Sequence, residues 1–293
     1  MSNNVCKKFS LCYTTIMIVS GKIKPSIKNY IWGKEIWYEV PTEKEYRAPI
    51  FVKKIKTHDK LSVQVHPTNE YALKYENASL GKSEFWLITR TYKDAGIYCG
   101  FDKKYERSEI ENHIKNGSLA SIQKFYPVKA GDVFTVEAGT VHTVGSGIEL
   151  LEVQQTSYIT YRMFDYNRFG ANKKKRELHI KKALEVACFD KIEEPVQHKA
   201  VQVTDKTASR VICKHREFVV SEYKSIEELE MYLDATPFVI VNFLAGSGSI
   251  SVGNDTYNYF GGDAFAIDNS KKSYKIKPNI NSHIVVSKPG SIE

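Results

Sequence analysis

Cysteine is scarce and badly arranged for structural work. The five residues Cys6, Cys12, Cys99, Cys188 and Cys213 are odd in number and mostly far apart, with no CxxC pair. That argues against a disulfide framework and a cysteine-rich zinc site, and fits free thiols in a reducing compartment. Long apolar runs are also missing. The nearest case, Leu11 to Val19, follows Lys7 and Lys8 and has the outline of a short signal peptide, but Thr14 and Thr15 interrupt it and it is too short to span a bilayer. It reads as an N-terminal strand or extension, with Met17 as an alternative start, and the expected location is cytoplasmic with no membrane partner. There is no basic tail either. The net charge of +8 is dispersed, its densest run being Lys173 to Arg176, and no nucleic-acid-reading module accompanies it. The sign suits a phosphorylated small molecule better than nucleic acid.

Aromatic residues, by contrast, are plentiful. Fourteen Phe and 18 Tyr, within 42% hydrophobic and 26% charged residues, describe a chain with a real core. Its 293 residues allow one large domain or two modest ones. Extended segments dominate: residues 51–55, 61–66, 85–88, 238–244, 250–252 and 284–286 are rich in β-branched and aromatic side chains. Three short helices are expected. One covers 70–75 with Asn69 as its cap, and the others cover 103–115 and 177–188. Gly131-Asp132-Val133-Phe134-Thr135-Val136 is echoed by Gly262-Asp263-Ala264-Phe265-Ala266-Ile267, a turn feeding an alternating strand. The distance between the copies points to two related β-barrels rather than a solenoid. Pro195 and its polar neighbours mark the boundary. The expected organisation is an extension over 1–20, a first domain over 21–192 and a second over 193–293.

The chemistry-bearing residues sit in the first half. Gln64 and His66, two apart on a strand, share a face that Val63 and Val65 avoid. Lys82 and Glu84 repeat that spacing, either as a solvated ion pair or as a catalytic amine beside a metal-binding carboxylate. His142 follows the first Gly-Asp strand and an Ala-Gly turn. Of the eight histidines, His66 and His142 are the most constrained, whereas His58, His113, His179 and His198 have turn, helical or linker settings that suit solvent. Gln64, His66, Glu84 and His142 together would offer one amide oxygen, two imidazoles and a carboxylate. Such a set suits Zn²⁺ with an open position, and its His/His/carboxylate part also suits Fe²⁺. A divalent ion there would repel a neighbouring ammonium, which makes Lys82 a candidate base. Arg162, between Tyr161 and Met163, either snorkels to water or clamps a phosphate or oxyanion.

Residues Tyr30-Ile31-Trp32-Gly33, LSVQVHPTNEYA at 61–72, GKSEFW at 81–86 and AGTVHTVGSGIELLEVQQTSYITYRMFDYNR at 138–168 resemble, in order, the type I phosphomannose isomerase family in its shorter bacterial form. The resemblance implies an all-β-dominated, double cupin-like (jelly-roll) fold with a few short helices. It implies Zn²⁺ held by Gln64, His66, Glu84 and His142, active-site roles for Lys82, Glu152 and Arg162, and Asp165 orienting Arg162. The expected reaction interconverts mannose 6-phosphate and fructose 6-phosphate in a monomer or homodimer. The rivals are a non-catalytic sugar-phosphate-binding module and an Fe-dependent cupin oxygenase. The short form lacks the helical insertion of longer members, so phosphate contacts supplied there do not carry over.

Overall fold

The β-branched and aromatic runs do form strands, and alternation along them decides what each barrel contains. The computed structural model describes residues 18–42, 47–170, 173–190, 201–233 and 235–290. The expectations for the extension up to Met17, for Cys6 and Cys12, for His198 and for the linker around Pro195 lie outside the described residues.

Two sheets build the first barrel. The larger runs, in spatial order, Ser26–Tyr30, Gly33–Tyr38, Ile50–Thr57, Ile148–Gln155, Glu84–Thr91 and Val133–Val136. The facing sheet runs Tyr161–Phe164, Val63–Val65, His142–Val144, Gly96–Phe101 and Gln123–Pro127. The second half repeats the plan. Its larger sheet runs Val201–Thr204, Thr207–Lys214, Phe218–Ser225, Ser282–Pro289, Phe238–Ala245 and Ala264–Asp268, and Gly21–Lys22 joins the edge beside Ala264–Asp268. Its facing sheet holds Leu229–Tyr232, Ser273–Pro278, Ser247–Val252 and Asp255–Phe260.

The Gly-Asp repeat makes the same turn twice. Gly131 and Gly262 have φ of 94° and 102°, a left-handed conformation that favours glycine. Asp132 accepts from the Lys129 backbone N–H at 2.9 Å, and Asp263 accepts from that of Phe260 at 2.9 Å. Each Asp thus closes a local turn before its strand.

The two large sheets lie back to back. Phe85, Leu87, Leu151 and Val153 from the first meet Ile212, Phe218, Val220, Phe238 and Ile240 from the second in one buried cluster. Each such side chain contributes about 1.5–3 kcal/mol by leaving water. Because strand residues alternate, committing Phe85, Leu87, Leu151 and Val153 to this seam turns Glu84, Trp86, Glu152 and Gln154 into the first barrel. The seam thereby orients the site.

Two of the three helices are shorter than expected. Arg107–Lys115 starts where Glu106 and Glu109 form a reciprocal capping box. Ile180–Val186 starts late because the backbone of residues 177–179 is tied to Arg162 instead, with Arg162 Nη1 donating to Glu177 O at 2.9 Å and His179 N to Arg162 O at 2.8 Å. Asn69–Tyr75 is capped by Thr68, whose hydroxyl accepts from Tyr71 N, so Asn69 is not the cap. No helix among the described residues is long and apolar enough to cross a membrane.

Candidate active site

Register brings the first-barrel polar residues together. His142 pairs with Gln64 across adjacent strands, Arg162 with Gln64 on its other side, and Glu84 lies opposite Gln154. His66, Glu84 and His142 are all buried, and one nitrogen or carboxylate oxygen from each falls within 4.8 Å of the others. His66 Nε2 is 3.2 Å from Glu84 Oε1, and His142 Nε2 is 3.7 Å from Glu84 Oε2.

The donor set fits a divalent ion. His66 Nδ1 lies 2.8 Å from Ile159 O and His142 Nδ1 lies 2.8 Å from Thr140 O. A nitrogen facing a carbonyl must donate, so each Nε2 presents a lone pair to the shared centre. Burial, with Lys82 adding to it, pushes His66 down to about 3, and burial also lowers His142. Both rings therefore stay neutral, the form that ligates. Burial alone would raise Glu84, but Lys82 and then His66 override it and hold the carboxyl well below the ordinary range. Glu84 Oε1 makes no hydrogen bond of ordinary geometry despite its burial. Gln64 completes the group, with Nε2 3.3 Å from His142 Nε2 and Oε1 3.3 Å from Ser62 Oγ. A half-turn of the amide exchanges these atoms and presents its oxygen to the centre.

Around this centre opens a cavity of about 280 Å³. Lys82, Glu152, Arg162 and Arg176 all line it. Lys82 Nζ is 2.5 Å from Glu84 Oε1 and 3.4 Å from His66 Nε2. Glu152 is raised above the ordinary carboxylate range by burial and then by the charge of Glu84, against the pull of Lys53 and Lys82. Arg162 reaches Ser62 Oγ at 3.3 Å, and burial and then Arg176 lower its pKa.

Asp165 does not orient Arg162. Its carboxylate binds Arg168 at 2.6 Å and Arg176 more closely still. Tyr166 and Asn167, both at positive φ, fold the chain so that residues 165 and 168 meet. Of the basic run, Arg176 lines the cavity while Lys173, Lys174 and Lys175 are exposed and do not. His179 is not simply solvated, since its Nδ1 accepts from Arg162 N at 3.2 Å.

Sequence reasoning missed Lys53. It is buried between Glu152 at 2.9 Å and Glu35 at 3.8 Å. Burial opposes its ammonium form, but Glu152 and Glu35 reverse that and raise its pKa. The available signal was a lysine sharing a strand face with Phe51 and Ile55. Trp37 and Tyr158 were missed as well; they stack at 5.6 Å and, with Phe51, form an aromatic wall.

The chain is 35% identical over 234 residues to the mannose-6-phosphate isomerase ManA of Bacillus subtilis (strain 168), covering 79% of this chain and 72% of that one. It is 35% identical over 228 residues to a mannose-6-phosphate isomerase of Streptococcus mutans serotype c (strain ATCC 700610 / UA159), covering 78% and 70%. The chain belongs to the mannose-6-phosphate isomerase family. No family model matches it. The fold agrees with solved structures. The mannose 6-phosphate isomerase from Bacillus subtilis superimposes with a TM-score of 0.81 at 24% identity, over 92% of this chain and 99% of that one. A mannosephosphate isomerase structure from Archaeoglobus fulgidus gives 0.72 at 17% identity, over 94% and 99%. The expected strand-dominated, double cupin-like architecture is therefore the observed one.

Proposed function

We propose that this member of the family is a zinc-dependent aldose–ketose isomerase that interconverts D-mannose 6-phosphate and D-fructose 6-phosphate. One observation carries the reading. Glu84 and Glu152 turn into one cavity beside Lys82, because the seam between the large sheets claims the alternate residues of their strands, and Glu84 is also met there by the neutral imidazoles of His66 and His142.

Gln64, His66, Glu84 and His142 would hold the ion, which when bound supplies Lewis-acid polarisation of a sugar carbonyl. The chain's own groups move the proton. Isomerisation takes a proton from C2 of the open-chain aldose and returns one to C1, through a cis-enediol(ate). Glu152 is our first choice for that transfer. Its raised carboxyl lies nearer the working pH than an ordinary carboxylate, and Lys53 fixes its orientation at 2.9 Å. Lys82, which the sequence alone made a candidate base, stands as a buried positive charge 2.5 Å from Glu84 and stabilises developing negative charge. Arg162 and Arg176 line the same cavity and would receive the phosphate, with Asp165 anchoring Arg176. The aromatic wall of Trp37, Phe51 and Tyr158 offers a face for the sugar's C–H groups. Free Cys99, Cys188 and Cys213 suit the cytoplasm we infer for it.

A coupled assay tests the reading. Purified protein should convert mannose 6-phosphate to fructose 6-phosphate, stop after chelation and restart on addition of zinc. Binding of the sugar phosphate without conversion would support the non-catalytic module instead. Oxygen uptake with Fe²⁺ would support the oxygenase.

A further inference from the structure

The second barrel touches the catalytic cavity's framework from outside. Residues His215, Arg216 and Glu217 form the turn between Thr207–Lys214 and Phe218–Ser225, closed by His215 N to Phe218 O at 2.9 Å and Phe218 N to His215 O at 3.2 Å. Glu217 Oε1 accepts from Asn69 Nδ2 at 3.0 Å. Asn69 Oδ1 in turn accepts from Gly81 N at 2.8 Å and from Gln155 Nε2 at 3.0 Å. Gln155 is buried and accepts from Ser83 N at 2.9 Å. The backbone N–H groups on both sides of Lys82 therefore end on side chains that lead to Glu217. Lys82's own N–H goes to Pro67 O at 3.0 Å.

The segment is held tightly. A Cβ on Gly81 would lie 2.3 Å from Pro67 O and 2.4 Å from the Thr68 carbonyl carbon, so only glycine fits against this backbone. Ser83 Oγ accepts from Ala138 N at 3.2 Å, tying the segment to the turn that leads to His142. That turn is gripped as well, by His215 Nε2 lying 3.0 Å from Glu137 Oε2. One hairpin thus reaches both loops that bring Lys82, Glu84 and His142 to the cavity.

We propose that the His215–Glu217 hairpin of the second barrel is a positioning device for the active site, acting on Lys82 and Glu84 through Asn69 and Gln155, and on the turn before His142 through Glu137. Thr68 takes over helix capping and so frees Asn69 for this work. Asparagine is required because its oxygen must accept twice while its nitrogen donates to Glu217. An aspartate could not donate, and would set a second carboxylate against Glu217.

The inference rests on the metal-dependent isomerase reading, and the experiment separates the two. Glu217→Ala, Glu217→Gln, Asn69→Ala and the double variant Asn69→Ala/Glu217→Ala are purified as zinc-loaded full chains and assayed well below their melting temperatures. Steady-state kinetics with mannose 6-phosphate is measured beside zinc affinity, read by competition with a chromophoric chelator. Glu217→Ala should lower kcat and zinc affinity by about tenfold with KM unchanged, the scale expected when a group orienting a ligand is lost. Glu217→Gln keeps an acceptor for Asn69 and should recover both values. Asn69→Ala should lose at least as much, and adding Glu217→Ala to it should cost nothing further. Unchanged kcat and zinc affinity in Glu217→Ala, no recovery in Glu217→Gln, or fully additive losses in the double variant would overturn the proposal. If the wild-type chain does not turn over the sugar, the isomerase reading fails. The zinc affinities then decide this proposal alone, and equal values for wild type and Glu217→Ala reject it.

Discussion

The two barrels share a strand order but differ in what they enclose. Gly131 N donates to Ile88 O at 2.8 Å, and Gly262 N donates to Phe243 O at 2.7 Å, so the repeated turns meet matching residues. Val136 pairs with Glu84, while Ile267 pairs with Val239. Trp86 faces Glu152 in the first barrel, and Val241 faces Val286 in the second. Where one barrel places two carboxylates, the other places two valines. Its interior is closed by Phe243 stacked on Tyr259 at 3.6 Å, with Phe265 and Tyr274 around them. The backbone therefore does not dictate the chemistry. The side chains at a few inward positions do.

The strongest way to break this comparison is to convert the first barrel toward the second. Glu84→Val should abolish metal retention and reduce turnover by on the order of 10³-fold, read by elemental analysis and the coupled assay. It should also lower the melting temperature, because Lys82 loses its partner. The reverse exchange, Val239→Glu, buries an unpaired carboxylate in an apolar interior. It should cost about 3–5 kcal/mol in urea unfolding and recruit no zinc; a stable, zinc-binding variant would show the barrels to be interchangeable. Within the first barrel, Glu152→Gln should keep its metal yet lose about 10²–10⁴ in kcat. Wild-type kcat should fall with acid at a pH above the ordinary 4.5, where Glu152 takes up its proton, and that limb should vanish in the variant.

The smallest effect concerns the join between the barrels. Glu222, in the second barrel, binds His283 at 2.6 Å and also Arg210, which donates to Gly131 O of the first barrel at 3.1 Å. Burial opposes its charge, but His283 and Arg210 pull its carboxyl down to about 2, below the ordinary 4.5. A lowered folded-state pKa contributes stability above 4.5 that is lost as pH falls toward 2. Glu222→Gln should therefore cost about 1–3 kcal/mol at neutral pH and flatten acid unfolding across that window.

Much of the site could be read before folding because its signals are local. Gln64 with His66, and Lys82 with Glu84, show the two-residue spacing that puts side chains on one strand face. The Gly-Asp repeat likewise announced two barrels. What stayed hidden depends on register between distant strands. Lys53 meets Glu152 only because Ile50–Thr57 pairs with Ile148–Gln155, and no spacing in the sequence encodes that. Asp165 was assigned to Arg162 on proximity along the chain, whereas the turn through Tyr166 and Asn167 delivers it to Arg168 and Arg176. Asn69 looked like a cap because Asn caps helices well. Thr68 caps just as readily, and only the folded contacts with Gly81, Gln155 and Glu217 reveal why the chain uses both.

All of this turns on whether four side chains of the first barrel grip a single divalent cation. Elemental analysis of the chain purified in the presence of zinc, set beside His142→Ala handled identically, reads that out directly. The proposed function predicts close to one zinc ion per wild-type chain and a clear loss in the variant. Equal metal contents in the two proteins would contradict it.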